Sequence, residues 1–410
     1  MAFPRRARRL GAFWRTEKRT LRQGFVALLV STAAAFVAGL TLGSITHTLE
    51  ALPGLLILIP ASVGMRGTIF GAIGARLGTA THAGLFEVTR AKSGVLYQNT
   101  HIGVIMTFAT SMYLAVLAKL VASAFGLPTI SVWDLVIISV VGGALASVFI
   151  LMITIAIAVL SYRRGWDLDS VATPVITAVG DMITLPALFL ATFLIRAEGM
   201  DIVLGLLCAA AGIAAIVRGA TTRAPGIRRV LFELVGVALL APILDVLAGI
   251  VADARLDEFV ALPAILLLVP PFVSQAGALG GILSSRLSSK LQLGVITPRG
   301  LPEPPAAVDA GVVFGFGVVV FLLIGVVGLV VSAAAGLAGP GAGVMMAGTL
   351  VGGLMATVVA IVLGYYLAVL TSRFGLDPDN HGVPLITSTM DLAGIVCLLF
   401  AMGLFGVGHG

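Results

Sequence analysis

The sequence predicts an all-α polytopic membrane protein of about eleven transmembrane helices, built as two parallel five-helix repeats joined by an extra helix. Three observations carry this reading. The first is composition: 59% of the 410 residues are hydrophobic and 11% charged, against about 45–50% and about 25% in a soluble domain. The second is the recurrence, along the whole chain, of apolar runs of about 20 residues, the length a helix needs to cross a bilayer. The third is an internal repeat. Leu52–Gly84 aligned without gaps on Leu262–Gly294, an offset of 210, gives 11 identities in 33 positions, where chance in so biased a composition gives roughly 3–4.

In chain order, residues 1–23 form a basic arm holding eight of the 25 Lys and Arg. No small-residue cleavage site follows, so the apolar stretch from Gly24 is expected to be a retained span and not a removed leader. The expected spans are 24–46, 52–75, 101–125, 133–160, 171–195, 202–217, 230–251, 258–284, 307–335, 343–370 and 382–405. The sixth is short, and charge bias argues for it. With the N-terminus in the cytoplasm and all eleven spans crossing, 21 of the 25 basic residues fall on the inner side, as the positive-inside rule requires. If 202–217 did not cross, the four-Arg linker 218–229 and the basic segments 286–299 and 373 would lie outside. The C-terminus is then outside, and the expected location is the plasma membrane. The net charge of +6 belongs to this bias and implies no nucleic acid. Cys208 and Cys397 lie in apolar spans, so neither a disulfide nor a thiol metal site is expected.

The offset of 210 also pairs Gly142-Gly143 with Gly352-Gly353, Asp167 with Asp377, Asp169 with Asp379, and Asp181 with Asp391. The expected organisation is a first unit at 24–195, a linker with its own span at 196–229, and a second unit at 230–410. Five spans is an odd number, so directly joined units would face opposite ways. One added crossing makes them parallel, related by a pseudo-twofold along the membrane normal. Matching residues then sit at the same depth.

Two stretches carry the strongest functional signal: Pro174-Val-Ile-Thr177-Ala-Val-Gly-Asp181 and Pro384-Leu-Ile-Thr387-Ser388-Thr-Met-Asp391. A carboxylate at membrane depth costs about 2.5–3.5 kcal/mol on insertion scales, which marks it as a functional candidate. Two of them near one axis repel unless a cation lies between them. Mg²⁺ takes oxygen ligands and keeps several waters, so two carboxylates with hydroxyls suffice. Thr177 and Thr387, one turn earlier on the same helix face, are candidates to complete that shell. A structural carboxylate held by polar neighbours is the plainer alternative. The second span and its copy are expected to be broken at Pro60 and Gly67, and at Pro270 and Gly277, freeing carbonyls to line a cavity with Thr68 and Ser388. Close helix packing is the alternative role of those glycines. Asp245, in mid-span, has no acidic partner in the first unit; it is a candidate coupling site for a proton or monovalent ion, or a partner for Arg66. Asp167, Asp169, Asp377 and Asp379 are candidates for an inner vestibule, or simply helix caps. No nucleophile elbow, phosphate loop, HExxH or CxxC pattern appears, so nothing points to an enzyme or to an organic cofactor.

Pro60-Ala-Ser-Val-Gly-Met-Arg66-Gly67-Thr68, with Ala75-Arg76-Leu77-Gly78-Thr79, resembles the second-helix signature of the MgtE-type magnesium transporters, PALLGLKGN…ASRLST, and most of all the two-unit animal carriers of solute-carrier family 41. Pro270 to Arg286-Leu287-Ser288-Ser289 is similar to the same motif. Pro174…Asp181 and Pro384…Asp391 resemble the fifth-helix motif whose Asp lines the family's magnesium site. The resemblance covers both units. It implies Mg²⁺ as the transported ion, bound between Asp181 and Asp391, with fused halves standing in for a homodimer so that a monomer suffices. The chain departs from the pattern where the family Asn is Thr68 (Ala278 in the copy) and the acidic position is Phe70 (Gly280 in the copy). Arg66 matches a family Lys. The soluble regulatory domains of bacterial members are expected to be absent. The competing expectations are a Na⁺- or H⁺-coupled cation exchanger and a non-transporting membrane scaffold.

Overall fold

The computed structural model describes residues 25–407, apart from 83–85, 88, 90, 92–93, 165–167, 197–200, 293 and 375–381. The basic arm, Trp166, Asp167, Asp377 and Asp379 fall outside the described residues, and the side chains of Pro174, Thr177 and Asp169 are likewise outside them.

Every regular element among the described residues is helical. The order is α1 Phe25–Ser44, α2 Thr46–Ala51, α3 Leu55–His82, α4 Val95–Ala124, α5 Val132–Ile137, α6 Gly143–Arg164, α7 Leu168–Thr192, α8 Asp201–Thr221, α9 Pro225–Asp253, α10 Leu256–Ala261, α11 Pro263–Gln292, α12 Pro304–Ala334, α13 Ala342–Phe374 and α14 Val383–Leu404. Eleven of the resulting segments are long and apolar enough to span a bilayer. They match the eleven expected from hydropathy in number and order, with ends that differ by up to eight residues.

The sixth, α8, is a full 21-residue helix of which only 17% is buried. It lies on α4 and α5, where Gly212 backs on Met112 and Gly205 on Trp133. A helix this exposed and this apolar faces lipid, and its packing on one side fits a connector between two repeats. Trp133 is half-buried against α8.

Two details differ from expectation. Helices α3 and α11 are continuous through Pro60, Pro270 and Pro271, not broken. Each proline removes one N–H from the ladder, a local loss that neighbouring helices make tolerable in a membrane span. The irregular stretch lies elsewhere: a π turn, Ile138–Gly142, joins α5 to α6, with Gly142 against the backbone of Leu188 in α7. The eighth span is likewise split, the short α10 preceding α11 at Leu262.

The first helix of each repeat packs into the other repeat. Leu28 and Phe36 of α1 belong to the apolar cluster of α11–α14, whereas Ile227, Leu231, Leu234 and Val246 of α9 belong to that of α3–α7. Gly39 and Gly249, 210 apart, make both contacts close. A Cβ on Gly39 would overlap the carbonyl oxygen of Leu267 in α11, and one on Gly249 would lie 2.5 Å from that of Ile57 in α3. Gln275 Nε2 of α11 donates to Ser31 Oγ of α1 at 3.1 Å. The exchange sets α9 against both α3 and α14, and so carries Asp245 to the junction of the two repeats.

Candidate functional site

Four helices supply the site, α3 and α7 from the first repeat and α11 and α14 from the second, with α9 as the fifth. Asp181 on α7 is 8% exposed, Asp391 on α14 9% and Asp245 on α9 1%. Each carboxylate reaches across the repeat boundary. Ser274 Oγ of α11 donates to Asp181 Oδ2 at 3.1 Å. Asp391 faces α3, where a Cβ on Gly64 would lie 3.6 Å from Asp391 Oδ2 and 2.9 Å from Asp245 Oδ2. Gly64 and Ser274 occupy the same column of the repeat, 210 residues apart. The pseudo-twofold therefore operates at the site itself.

Asp245 and Asp391 lie close enough to interact directly, and Ser388 lies beside Asp245. Asp181 lies within electrostatic reach of Asp391. Asp245 Oδ1 has no hydrogen-bond partner. Two buried carboxyls in contact need a positive charge between them, either a shared proton or a metal cation. Among the described residues, no three carboxyl, imidazole or thiol groups converge tightly enough to hold one ion by themselves. The arrangement offers carboxylates in twos, with hydroxyls beside them, and leaves room for water in the remaining positions of a hydrated divalent ion.

The other expected site residues surround this centre. Thr387 Oγ1 donates to the Val383 carbonyl at 2.8 Å, which leaves its lone pairs unspent, and its methyl group lies 3.1 Å from where a Cβ on Gly277 would be. Gly277 thus sets the close crossing of α11 and α14. Gly67 stands at the α3–α7 crossing, near Gly180. Thr68 Oγ1 donates to the Gly64 carbonyl at 3.1 Å. Pro60 and Pro270 are half-buried within unbroken helices. Thr177 is on α7 one turn before Asp181, its side chain outside the described set.

Arg66 does not pair with Asp245. It points the other way from Gly64, into the interface of α3 with α4 and α6. There it is 0% exposed and donates from Nη2 to Ser111 Oγ at 2.7 Å, over Gly143. Its Nε and Nη1 have no partner. The fixed positive charge is thereby turned away from the three carboxyls. Asp134 is engaged at the start of α5 by Ser131, whose Oγ accepts from its amide at 3.1 Å.

Gly64 and Ser274 were not singled out from the sequence. Both lie inside the aligned motif, but as a mismatch in the repeat they draw no attention when identities alone are weighed.

Known proteins agree with this architecture. The family model of MgtE, a divalent cation transporter, matches residues 59–191 and 269–401, two segments again 210 apart. Solute carrier family 41 member 3 of Rattus norvegicus is 24% identical over 398 residues, 92% of this chain and 85% of the relative. The protein of the same description from Mus musculus is 24% identical over 378 residues, 87% of this chain and 77% of the relative. No solved structure matches. With two family segments covering more than half its length, the chain belongs to the MgtE family of divalent cation transporters.

Proposed function

We propose that this protein carries Mg²⁺ across the plasma membrane, with the partly hydrated ion held between Asp181 and Asp391 where the two repeats meet. The observation that carries the reading is the approach of buried carboxyls from α7, α9 and α14 at one junction in a chain of this family. Ser388 and Thr387 supply hydroxyl oxygens around them, Thr177 is the matching residue of α7 one turn before Asp181, and Gly67, Thr68 and Gly277 belong to the lining helices with Pro60 and Pro270. Mg²⁺ favours such an all-oxygen, water-retaining setting. The units run from 24 to 195 and from 230 to 410, joined by 196–229, with the N-terminus cytoplasmic and the C-terminus outside. The protein works as a monomer in the lipid bilayer, its halves replacing the copies of a homodimer, without an organic cofactor or nucleic acid.

The test is Mg²⁺ flux into liposomes by the full chain. An Asp181→Ala, Asp391→Ala double variant that remains folded should lose transport; full magnesium-selective flux from it would end this reading.

A second reading is favoured by the contact of Asp245 with Asp391: exchange of the divalent cation against Na⁺ or H⁺, with Asp245 as the coupling group. Flux that follows an imposed Na⁺ or H⁺ gradient and loses that dependence in Asp245→Asn would support it. Flux indifferent to both gradients would exclude it.

A further inference from the structure

We propose that the cation site is lopsided: Asp245 is a third carboxylate of the site, and the ion binds off the pseudo-twofold axis, in a half-site bounded by Asp245, Asp391, Ser388 and Gly64. The proposal rests on the Mg²⁺ reading above and deepens it.

Three counterpart positions break the symmetry, and all three favour the same side. Gly64 stands opposite Asp391, where the other half has Ser274 opposite Asp181. Asp245 has as its counterpart Ala35, which is buried and apolar. Ser388 has as its counterpart Ala178, also buried. One half therefore gathers two carboxyls and a hydroxyl around a residue with no side chain. The other holds a single carboxylate already bonded to a serine.

The crowded half is shaped for a ligand. Asp245 is almost wholly buried, yet its Oδ1 has no partner, and an orphaned carboxylate oxygen in a helix bundle is costly. Glycine at position 64 lets both carboxyls approach α3 closely: a Cβ there would stand 2.9 Å from Asp245 Oδ2 and 3.6 Å from Asp391 Oδ2. The Oδ2 atoms of both carboxyls thus border the same small volume. A divalent cation between Asp181 and Asp391 but displaced toward Asp245 neutralises the Asp245 and Asp391 carboxylates together. Asp181 then acts on the ion from a distance, through water, consistent with the lack of a three-carboxyl convergence among the described residues.

The experiment measures binding rather than flux. Mg²⁺ should raise the melting temperature of the detergent-solubilised full chain, because a ligand bound only by the folded state stabilises it. Mn²⁺ binding read by electron paramagnetic resonance gives a second affinity. Asp245→Asn and Gly64→Ala should each weaken both at least about tenfold, the low end of what even an outer-shell partner is worth. Ser274→Ala, on the other half, should change them by less than either. Gly64→Ala removes no polar group, so it decides the matter if Asp245→Asn fails to fold.

Asp391→Asn separates the two levels of the argument. If it binds Mg²⁺ as the parent does, the Mg²⁺ reading itself falls. If it loses binding while Asp245→Asn and Gly64→Ala keep it, only the lopsided site is overturned. Retained affinity in Asp245→Asn together with a lost Na⁺ or H⁺ dependence of flux would also overturn it, in favour of a coupling role.

Discussion

Helices α3 and α11 carry the same arginine at the same position, and the two repeats answer it differently. Arg76 Nε donates to Asn99 Oδ1 at 3.2 Å. Its counterpart Arg286 grips Asp309 through Nε at 3.1 Å and Nη2 at 2.8 Å, and Lys290 adds a third contact to Asp309 at 2.5 Å. Asn99 and Asp309 are again 210 residues apart. The repeats have kept the geometry of this clamp and let its charge diverge. The same holds at the site, where Gly64 and Ser274, or Ala35 and Asp245, share a position and differ in chemistry. A duplicated scaffold that no longer has to be identical in its halves is free to build one asymmetric centre.

Substitutions that copy one half into the other test this comparison. The largest effect should come from the acidic pair. Asp391→Ala should cut Mg²⁺ flux in liposomes by at least about 100-fold, because even outer-shell partners of a metal are worth about 10–100-fold. Asp181→Ala should cost less, because Asp181 acts on the ion through water. Equal losses would argue that the halves act alike.

Next comes the clamp. Asp309 is fully buried, so Asp309→Ala removes the carboxylate that Arg286 and Lys290 share and should cost about 3–5 kcal/mol of stability. Asp309→Asn, which copies Asn99, should cost less. Thermal unfolding in detergent measures both, and an Asn variant as damaged as the Ala variant would mean the two clamps are not equivalent.

The smallest effect is expected at Arg66, whose counterpart is Ala276. Its guanidinium is desolvated with one serine as its hydrogen-bond partner and no carboxylate. Replacing a buried charge with an apolar chain of similar length is often neutral or stabilising. Arg66→Met should therefore leave the melting temperature unchanged or raise it. A marked fall would show that the charge has a partner beyond Ser111.

Much of this was legible in the chain. Hydropathy and length located the eleven helices, and the distribution of Arg and Lys argued for α8 despite its short apolar core. The constant offset exposed the repeat, and the cost of a carboxylate in lipid singled out Asp181, Asp391 and Asp245. The packing was harder to read. An apolar stretch does not say which neighbour it touches, so the exchange of α1 and α9 between repeats was invisible, and with it the route by which Asp245 meets Asp391. Pro60 and Pro270 looked like breaks because proline removes a donor, yet each costs one ladder bond and the helix runs on through it. The π turn at Ile138–Gly142 has no distinctive composition beyond its glycine.

The account stands on a divalent metal lying among these three carboxyls. Crystals of the full chain soaked in Mn²⁺, with the ion located by its anomalous scattering, test that directly. The predicted result is one strong peak at the junction of α3, α7, α9 and α14, nearer Asp391 and Asp245 than Asp181. A peak far from all three, or none at an occupancy where flux is saturated, would contradict it.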